Sequence, residues 1–324
     1  MTSTIDKGYV ILDRNLPLEM VRVTEAAAIA AHKLMGRGDE HAADELAVEA
    51  MRASLNNMDI KGTVVIGEGE RDEAPMLYIG ERVGTGNGPH IDIALDPLEG
   101  TTILATGGSN SLSVIAMTEQ GKFLNAPDTY MDKIAIGFQY KEQIIDLDQT
   151  PKENLKNIAK ALKREINELV VVILDRPRHL ELISQVREAG ARIQLIKDGD
   201  VAAVISTSIP ASGVNVYMGI GGAPEGVLAA AALCTTGGQI CTRLIFKSDA
   251  EKERATRLGI TNFNRKYYLS DLASGDVMFA ATGVTDGTML KGVHLIHNGA
   301  TTHSMAMRAS TGTVRFIETH HRFK

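Results

Sequence analysis

The chain has little of what secreted and membrane-spanning proteins need. Only two of its 324 residues are cysteine, Cys234 and Cys241, and their spacing matches neither a disulfide scaffold nor a zinc motif. No stretch of about eighteen apolar residues occurs, and the start of the chain lacks the apolar segment of a signal peptide. We therefore expect a cytoplasmic protein in a reducing compartment, with no membrane partner.

An excess of basic charge is also missing. The formal net charge is -6, and no run of Lys or Arg is long enough to follow a nucleic-acid backbone. No nucleic-acid partner is expected. An acidic protein that binds an anionic substrate needs local cations or metal ions to offset the repulsion.

Several catalytic signatures are absent. The sequence contains no G-x-S-x-G nucleophile elbow, no H-E-x-x-H zinc motif and no P-loop. Two glycine clusters begin like a dinucleotide fingerprint, but its third glycine is replaced by Pro89 in one and by Pro224 in the other. A nicotinamide-dependent dehydrogenase therefore has no support in the motifs.

What is present is an alternation of strands and helices. Apolar spacing predicts helices over 18–34 and 40–55, a short helix at 75–83, and strands at 63–67, 90–96, 111–118 and 133–138. After a polar stretch at 146–158, strand–helix–strand units indicate a parallel sheet, and strands return near the end of the chain. The predicted class is α/β in two layered domains, 1–150 and 151–324. The histidines near the end are expected in a solvated tail.

Acidic residues follow the apolar strands. Glu68 and Glu70 come directly after the strand at 63–67, and Asp96 and Glu99 end the strand at 90–96 in the sequence DPLEGT. Pro97 forces Asp96 toward extended geometry, and Gly100 permits a sharp turn. Oxygen ligands in this arrangement suit Mg²⁺ or Mn²⁺, although an Asp-Pro turn that caps a helix explains the hexapeptide equally well.

Basic and acidic turns follow two later strands. Arg176 and Arg178 flank Pro177, where two guanidinium groups favour a bidentate phosphate clamp, although solvated helix-entry charges are the simpler alternative. Asp198 and Asp200 flank Gly199 and are suited to sugar hydroxyls, although a plain Asp-Gly turn also explains them.

Six blocks, read in order, make the sequence resemble the class II fructose-1,6-bisphosphatases of the lithium-sensitive sugar and inositol phosphatase superfamily. The blocks are VVIGEGERDEAPMLYIGERVGTG, DPLEGT, FLNAPDTYMDK, RPRH, DGDVAA and YMGIGGAPEG. The second residue of the acidic pair is Glu99, as in class II, where the wider superfamily has Asp. Arg176 stands where the family block has Lys. The resemblance implies the sugar-phosphatase fold, with two stacked α/β domains, mixed sheets, and helices between and outside them.

The resemblance also implies a set of site residues. Asp44 and Glu68 would hold one metal ion, and Asp96, Glu99 and Glu225 the other. Thr101 would help to position and deprotonate the attacking water, so Thr101, Asp96 and Glu68 are the expected catalytic residues. Substrate would be bound by the residues Glu99, Gly100, Thr101, Tyr130, Arg176, Pro177, Arg178, Asp198, Gly199, Asp200 and Gly222.

The expected activity is metal-dependent hydrolysis of the 1-phosphate of fructose 1,6-bisphosphate, in gluconeogenesis, by a homo-oligomer (dimer or tetramer) that uses Mg²⁺ or Mn²⁺. Two cations about 4 Å apart can polarise a phosphoryl group and activate water. The alternatives are a dual enzyme that also cleaves sedoheptulose 1,7-bisphosphate, an inositol phosphatase, and a non-catalytic metal-binding protein.

Overall fold

A computed structural model describes residues 12–69, 76–138, 140 and 142–323. The chain forms two compact units: unit 1 contains the described residues up to 123 and from 274 onward, and unit 2 contains those within 124–273. Each unit has one mixed sheet with helices, so the predicted α/β class is confirmed. Among the described residues, no helix is long and apolar enough to cross a membrane.

The helices of the described residues are α1 (Leu16–His32), α2 (Glu40–Leu55), α3 (Thr101–Ala105), α4 (Pro151–Leu162), α5 (Leu180–Glu188), α6 (Asp200–Ser206), α7 (Ala223–Thr236), α8 (Asp249–Arg257) and α9 (Leu269–Leu272). The strands are β1 (Lys61–Ile66), β2 (Arg82–Val83), β3 (His90–Glu99), β4 (Leu112–Glu119), β5 (Tyr130–Ile136), β6 (Val170–Leu174), β7 (Arg192–Ile196), β8 (Val216–Gly222), β9 (Gln239–Ile245), β10 (Lys266–Tyr268), β11 (Met278–Gly283), β12 (His294–Ile296), β13 (Gly299–Arg308) and β14 (Thr313–Arg322).

Unit 1 is built on an eight-stranded sheet in the order β12-β13-β11-β4-β3-β1-β2, with β14 paired to β13. Only β1 and β3 run parallel; the other pairs are antiparallel. Helices α1 and α2 pack on this sheet, and the alanine-rich side of α1 permits close approach. The core includes Met20, Ala27, Ile93 and Met117, all fully buried.

Unit 2 has a six-stranded sheet in the order β10-β9-β5-β8-β6-β7. The parallel arrangement predicted for this part is present where β6 pairs with β7 and β8. The remaining pairs are antiparallel, so the sheet is mixed. Its core includes Ile134, Leu155, Val171 and Ile183.

Two local predictions were wrong. The stretch 76–83 has no helix; it contains turns and then the short strand β2, and residue 75 lies outside the described residues. The Glu81 side chain accepts a hydrogen bond from the backbone N–H of Leu77, and Gly80 has φ +94°, which a helix cannot contain.

The histidines near the end belong largely to β12–β14 rather than to a solvated tail: His321 Nε2 lies 2.9 Å from Thr302 Oγ1.

The two units differ from the division predicted at 150/151. β5 belongs to the sheet of unit 2, and β11–β14 belong to the sheet of unit 1. The reason is that β11 pairs with β4 across more than 150 intervening residues, a contact that local sequence pattern does not reveal.

Candidate active site

In unit 1 the predicted acidic residues lie at one edge of the sheet. β1 and β3 are parallel and pair Ile66 with Ala94, so the chain leaves both strands at the same edge. Glu68 follows β1 by two residues, and Asp96 and Glu99 end β3. Glu70 lies outside the described residues. This topology places the ends of β1 and β3, and the carboxylates at or after them, at the same edge of the sheet.

The DPLEGT segment forms a bulge. Asp96 pairs with Val114 and Glu99 with Leu112, so β3 has one residue more than β4 over this stretch. Pro97 is placed there because it has no N–H to donate to a ladder. The Leu98 N–H donates to Asp96 Oδ1 at 3.0 Å, which shows that Asp96 closes its own turn and does not cap α3.

The turn into α3 depends on glycine. Gly100 has φ +80° and ψ +51°, a left-handed conformation, and it precedes α3 with no side-chain cap. Thr101 therefore begins the helix immediately beside Glu99, whose backbone carbonyl accepts a hydrogen bond from Ser111 Oγ at 2.9 Å. Glu99 is 4% exposed, so its carboxylate is held within the fold.

Asp44 lies on α2, which packs against β3 and α3. Burial raises its pKa, and the neighbouring His41 partly opposes that rise. A cation bound beside this carboxyl group would favour the charged form that burial disfavours. The helical pattern gave no reason to select Asp44; only the family resemblance did.

In unit 2 the two arginines differ in their partners. Arg178 donates from Nε and Nη2 to the carbonyl oxygen of Ile220, at 3.1 and 2.8 Å, and its guanidinium lies 5.1 Å from the centre of the Tyr130 ring. Arg176 donates to the neighbouring Asp175 carbonyl at 3.3 Å. Arg178 lies in the 3₁₀ turn Pro177–His179, which follows β6, and Arg176 immediately precedes this turn. The turn thus places the Arg178 guanidinium against Tyr130 and Arg176 two residues before it, two groups suited to binding an anion.

Lys247 is a residue that the sequence reasoning missed. Its Nζ lies 3.6 Å from the centre of the Tyr130 ring, so Tyr130 has two cationic neighbours. Lys247 follows β9, a strand that the apolar spacing did not predict. The position of Lys247 after the apolar residues of that strand is the sequence signal that could have identified it.

His179 fixes the turn that carries Arg178. Its Nδ1 lies 2.7 Å from the carbonyl oxygen of Leu174, and its Nε2 accepts the N–H of Ile220 at 2.8 Å. A carbonyl can only accept, so Nδ1 carries the proton and the ring is neutral. Burial lowers the pKa of His179, and the neighbouring arginines add to this effect. The neutral ring is therefore the form that the structure selects.

Asp198 and Asp200 have different environments. The Asp198 carboxylate is half-buried and accepts the N–H of Gly199, whose φ is +88°. Asp200 is buried and is bound by Lys133, whose Nζ lies 2.5 Å from Oδ2. Asp200 is thus more than a residue of an Asp-Gly turn, which the sequence alone could not distinguish.

Glu225 occupies the first turn of α7, after Gly222. Its Oε2 is inaccessible to solvent and has no hydrogen-bond partner among the described residues, and burial together with the nearby Asp200 raises its pKa to about 7. A Cβ on Gly222 would lie 1.8 Å from that oxygen, so the glycine leaves room for the carboxylate. A buried oxygen without a donor is the kind of ligand that a hard cation takes.

The donor set therefore fits a hard divalent cation in its chemistry. Within the described ranges, however, no three Asp, Glu, His or Cys side chains converge on a point that would hold a metal ion. The carboxylates of Asp44, Glu68, Asp96, Glu99 and Glu225 supply only oxygen donors, which suit Mg²⁺ or Mn²⁺ and not a soft metal.

Strand-end carboxylates in one mixed α/β unit and a turn with two arginines in the other are the types of group that a metal-dependent phosphoric monoester hydrolase uses for cations and for phosphate. Residues 14–321 match the family model described as "Bacterial fructose-1,6-bisphosphatase, glpX-encoded", and the chain belongs to this family. This confirms the resemblance noted in the sequence.

Two relatives show how far the similarity extends. The chain is 45% identical over 335 residues to a protein of Synechococcus sp. (strain JA-2-3B'a(2-13)), with 96% of each chain covered. It is 44% identical over 337 residues to a protein of Trichodesmium erythraeum (strain IMS101), with 96% of this chain and 97% of the relative covered. Both relatives are named D-fructose 1,6-bisphosphatase class 2/sedoheptulose 1,7-bisphosphatase.

Proposed function

We propose that this protein hydrolyses the 1-phosphate of fructose 1,6-bisphosphate, giving fructose 6-phosphate and phosphate, as a step of gluconeogenesis in the cytoplasm. The observation that carries the proposal is membership of the family over residues 14–321, together with strand-end carboxylates at DPLEGT and the Arg178–Tyr130 pair. A homo-oligomer, a dimer or tetramer, is proposed from the same family membership.

The residues would divide the work by their chemistry. We propose that the unit 1 carboxylates Asp44, Glu68, Asp96 and Glu99 bind Mg²⁺ or Mn²⁺, and that Glu225 of unit 2 is a further cation-binding carboxylate. The bound cations would polarise the phosphoryl oxygens and lower the pKa of water.

The other side chains bind and orient the reactants. The Thr101 hydroxyl, at the first position of α3, is proposed to hold the attacking water and to relay its proton: it would take a proton from the water as it gives its own to one of the proposed unit 1 carboxylates. Arg176 and Arg178 are proposed to bind a substrate phosphate, and Tyr130 keeps the Arg178 guanidinium in place. The remaining proposed substrate contacts are Glu99, Gly100, Pro177, Asp198, Gly199, Asp200 and Gly222.

A dual activity is the second candidate, because both relatives carry sedoheptulose 1,7-bisphosphatase in their names. The two sugars present similar phosphate-bearing ends, so the cation-binding and arginine groups do not distinguish them. An inositol phosphatase has no such observation in its favour.

The test is phosphate release by chelator-treated protein from fructose 1,6-bisphosphate, sedoheptulose 1,7-bisphosphate and inositol 1-phosphate, each with Mg²⁺, Mn²⁺ or neither. We expect metal-dependent release from fructose 1,6-bisphosphate. Release from both bisphosphates would establish the dual enzyme, and release from none would contradict the proposal.

A matched pair of variants tests the carboxylates. Asp96→Asn is expected to abolish activity while leaving the fold intact. Asp92→Asn is the control, because Asp92 lies on the same strand, is buried, and accepts the N–H of Gly121 at 2.6 Å, which an amide oxygen can also accept. Full activity in Asp96→Asn would contradict the metal assignment.

A further inference from the structure

Lys133 is a buried cation in the interior of the unit 2 sheet. It lies on β5, which pairs with β8 on one side and β9 on the other, and its side chain is 1% exposed. Lysine is almost never fully buried unless its charge is paired. The partners that compensate the buried charge of Lys133 therefore indicate its role.

Its two partners belong to the proposed substrate contacts. Nζ donates to Asp200 Oδ2 at 2.5 Å and to the carbonyl oxygen of Gly222 at 2.9 Å. Asp200 begins α6, and Gly222 ends β8. A single ammonium group thus joins two segments that come from separate parts of the chain.

Two glycines leave the space that this pair occupies. A Cβ on Gly221 would lie 2.1 Å from Asp200 Oδ2 and 2.9 Å from Lys133 Nζ. A Cβ on Gly226, inside α7, would lie 2.4 Å from Met131 Sδ and 3.4 Å from Lys133 Cδ. Part of the glycine content of GIGGAPEG therefore accommodates Lys133 and does not serve turn geometry.

Charge explains why a cation is needed at this place. Asp200 is a buried carboxylate, and the ammonium group of Lys133 lies within hydrogen-bond distance of it. The Tyr217 hydroxyl also donates to Asp200 Oδ2, at 3.4 Å. Both donors meet the same carboxylate oxygen, so the direction of the Asp200 carboxylate is fixed from inside the unit.

We propose that Lys133 is a positioning residue of the substrate site: it orients the Asp200 carboxylate and anchors the Gly222 carbonyl, so that these groups can meet a sugar phosphate. The inference rests on the proposed function, because Asp200 is assigned to substrate there. Lys133 itself is buried and does not touch the substrate.

A double-mutant cycle tests the inference. The dissociation constant of fructose 6-phosphate is measured by calorimetry for the wild type, Lys133→Met, Asp200→Asn and the double variant, with thermal unfolding and the KM and kcat for fructose 1,6-bisphosphate measured in parallel. Lys266→Met is the control, because Lys266 forms an ion pair with Asp146 at 2.7 Å in the same unit but contacts neither Asp200 nor Gly222.

We expect Lys133→Met to weaken binding roughly tenfold to a hundredfold, the effect of one hydrogen bond to a charged group, with KM rising by a similar factor. Asp200→Asn should do the same, and the loss in the double variant should fall clearly short of the product of the two single losses, because Lys133 acts in part through Asp200 and in part through the Gly222 carbonyl. Lys266→Met should leave the constant unchanged.

Two results would overturn the inference: a lower melting temperature with an unchanged dissociation constant in Lys133→Met, or losses that multiply in the double variant. If Lys133→Met does not fold, the comparison of Asp200→Asn with the double variant decides, since the latter contains neither member of the pair. A wild type that binds fructose 6-phosphate but hydrolyses no bisphosphate would contradict the proposed function alone, and one that does neither would contradict both.

Discussion

The buried carboxylate of Glu225 leads to a prediction about the stability of the metal-free protein. Burial raises its pKa from the ordinary 4.5 to about 7, with the charge of Asp200 adding to the rise and that of Lys133 opposing it. The folded state therefore holds a proton that the unfolded state loses above pH 4.5. The contribution is favourable at low pH and is lost as the pH rises through 7.

The size of the effect follows from this difference. At 1.36 kcal/mol for each pH unit, a rise from 4.5 to about 7 costs the folded protein about 3 kcal/mol of unfolding free energy above pH 7. Glu225→Gln removes the titrating group while keeping its shape. Near pH 5 the folded wild type carries a protonated carboxyl at this position, and the variant carries an amide. Each leaves a buried donor without a partner among the described residues, so the two proteins should be of similar stability at that pH.

The assay is urea unfolding of both proteins in a chelator at pH 5.0 and pH 8.5. We expect Glu225→Gln to exceed the wild type by about 3 kcal/mol more at the higher pH than at the lower one. Added Mn²⁺ should then stabilise the wild type more than the variant, because the variant has lost an anionic ligand. An identical pH dependence of the two proteins would refute the reasoning, and an equal response to Mn²⁺ would refute the assignment of Glu225 as a ligand.

Three further predictions concern groups that hold the fold. Because burial lowers the pKa of His179, the wild type should lose unfolding free energy as the pH falls below the unfolded value of 6.5, and His179→Gln should show less of this loss in urea titrations; a parallel pH dependence would contradict the neutral ring. Gly100→Ala places a side chain at φ +80° and 2.9 Å from Ile103 Cδ1, so chemical denaturation should show a loss of about 1–2 kcal/mol, and an unchanged midpoint would contradict the strain argument. Arg308→Met should lower the unfolding free energy by about 1.5–3 kcal/mol, because the buried Arg308 gives up its charged hydrogen bond to the half-buried Asp276, 2.6 Å from Nη2; a loss below about 1 kcal/mol in a urea titration would contradict a stabilising pair.

Much of the site could be predicted because its residues are adjacent in the sequence. DPLEGT, RPRH and DGDVAA each place charged residues directly after an apolar strand, and a strand that ends at a sheet edge must deliver them there. The bulge at Asp96 and Glu99 is a local consequence of Pro97 and Gly100 and needs no distant partner. Asp44 was different, since it lies inside a helical pattern and was identified only through the family resemblance.

Other features depended on contacts between distant residues. The tail strands β11–β14 join unit 1 because β11 pairs with β4, and β5 joins unit 2 because it pairs with β8 and β9. The helix predicted at 75–83 was wrong because side-chain and glycine geometry there override apolar spacing. Pairing partners are chosen by the packing of whole sheets, and a window of neighbouring residues does not contain that information.

The sequence by itself determined the class of fold, the sequence blocks of the site and the family. The reason is that the charged residues of each block lie within a few residues of the strand that they follow. Only the tertiary structure decided which charges are paired. In the sequence Lys133 is one more lysine in a strand pattern. Folding buries its side chain, which then donates hydrogen bonds to Asp200 and to the Gly222 carbonyl. Burial is a property of the packed chain, and it is burial that turns an ordinary carboxylate into one that must have a cation beside it.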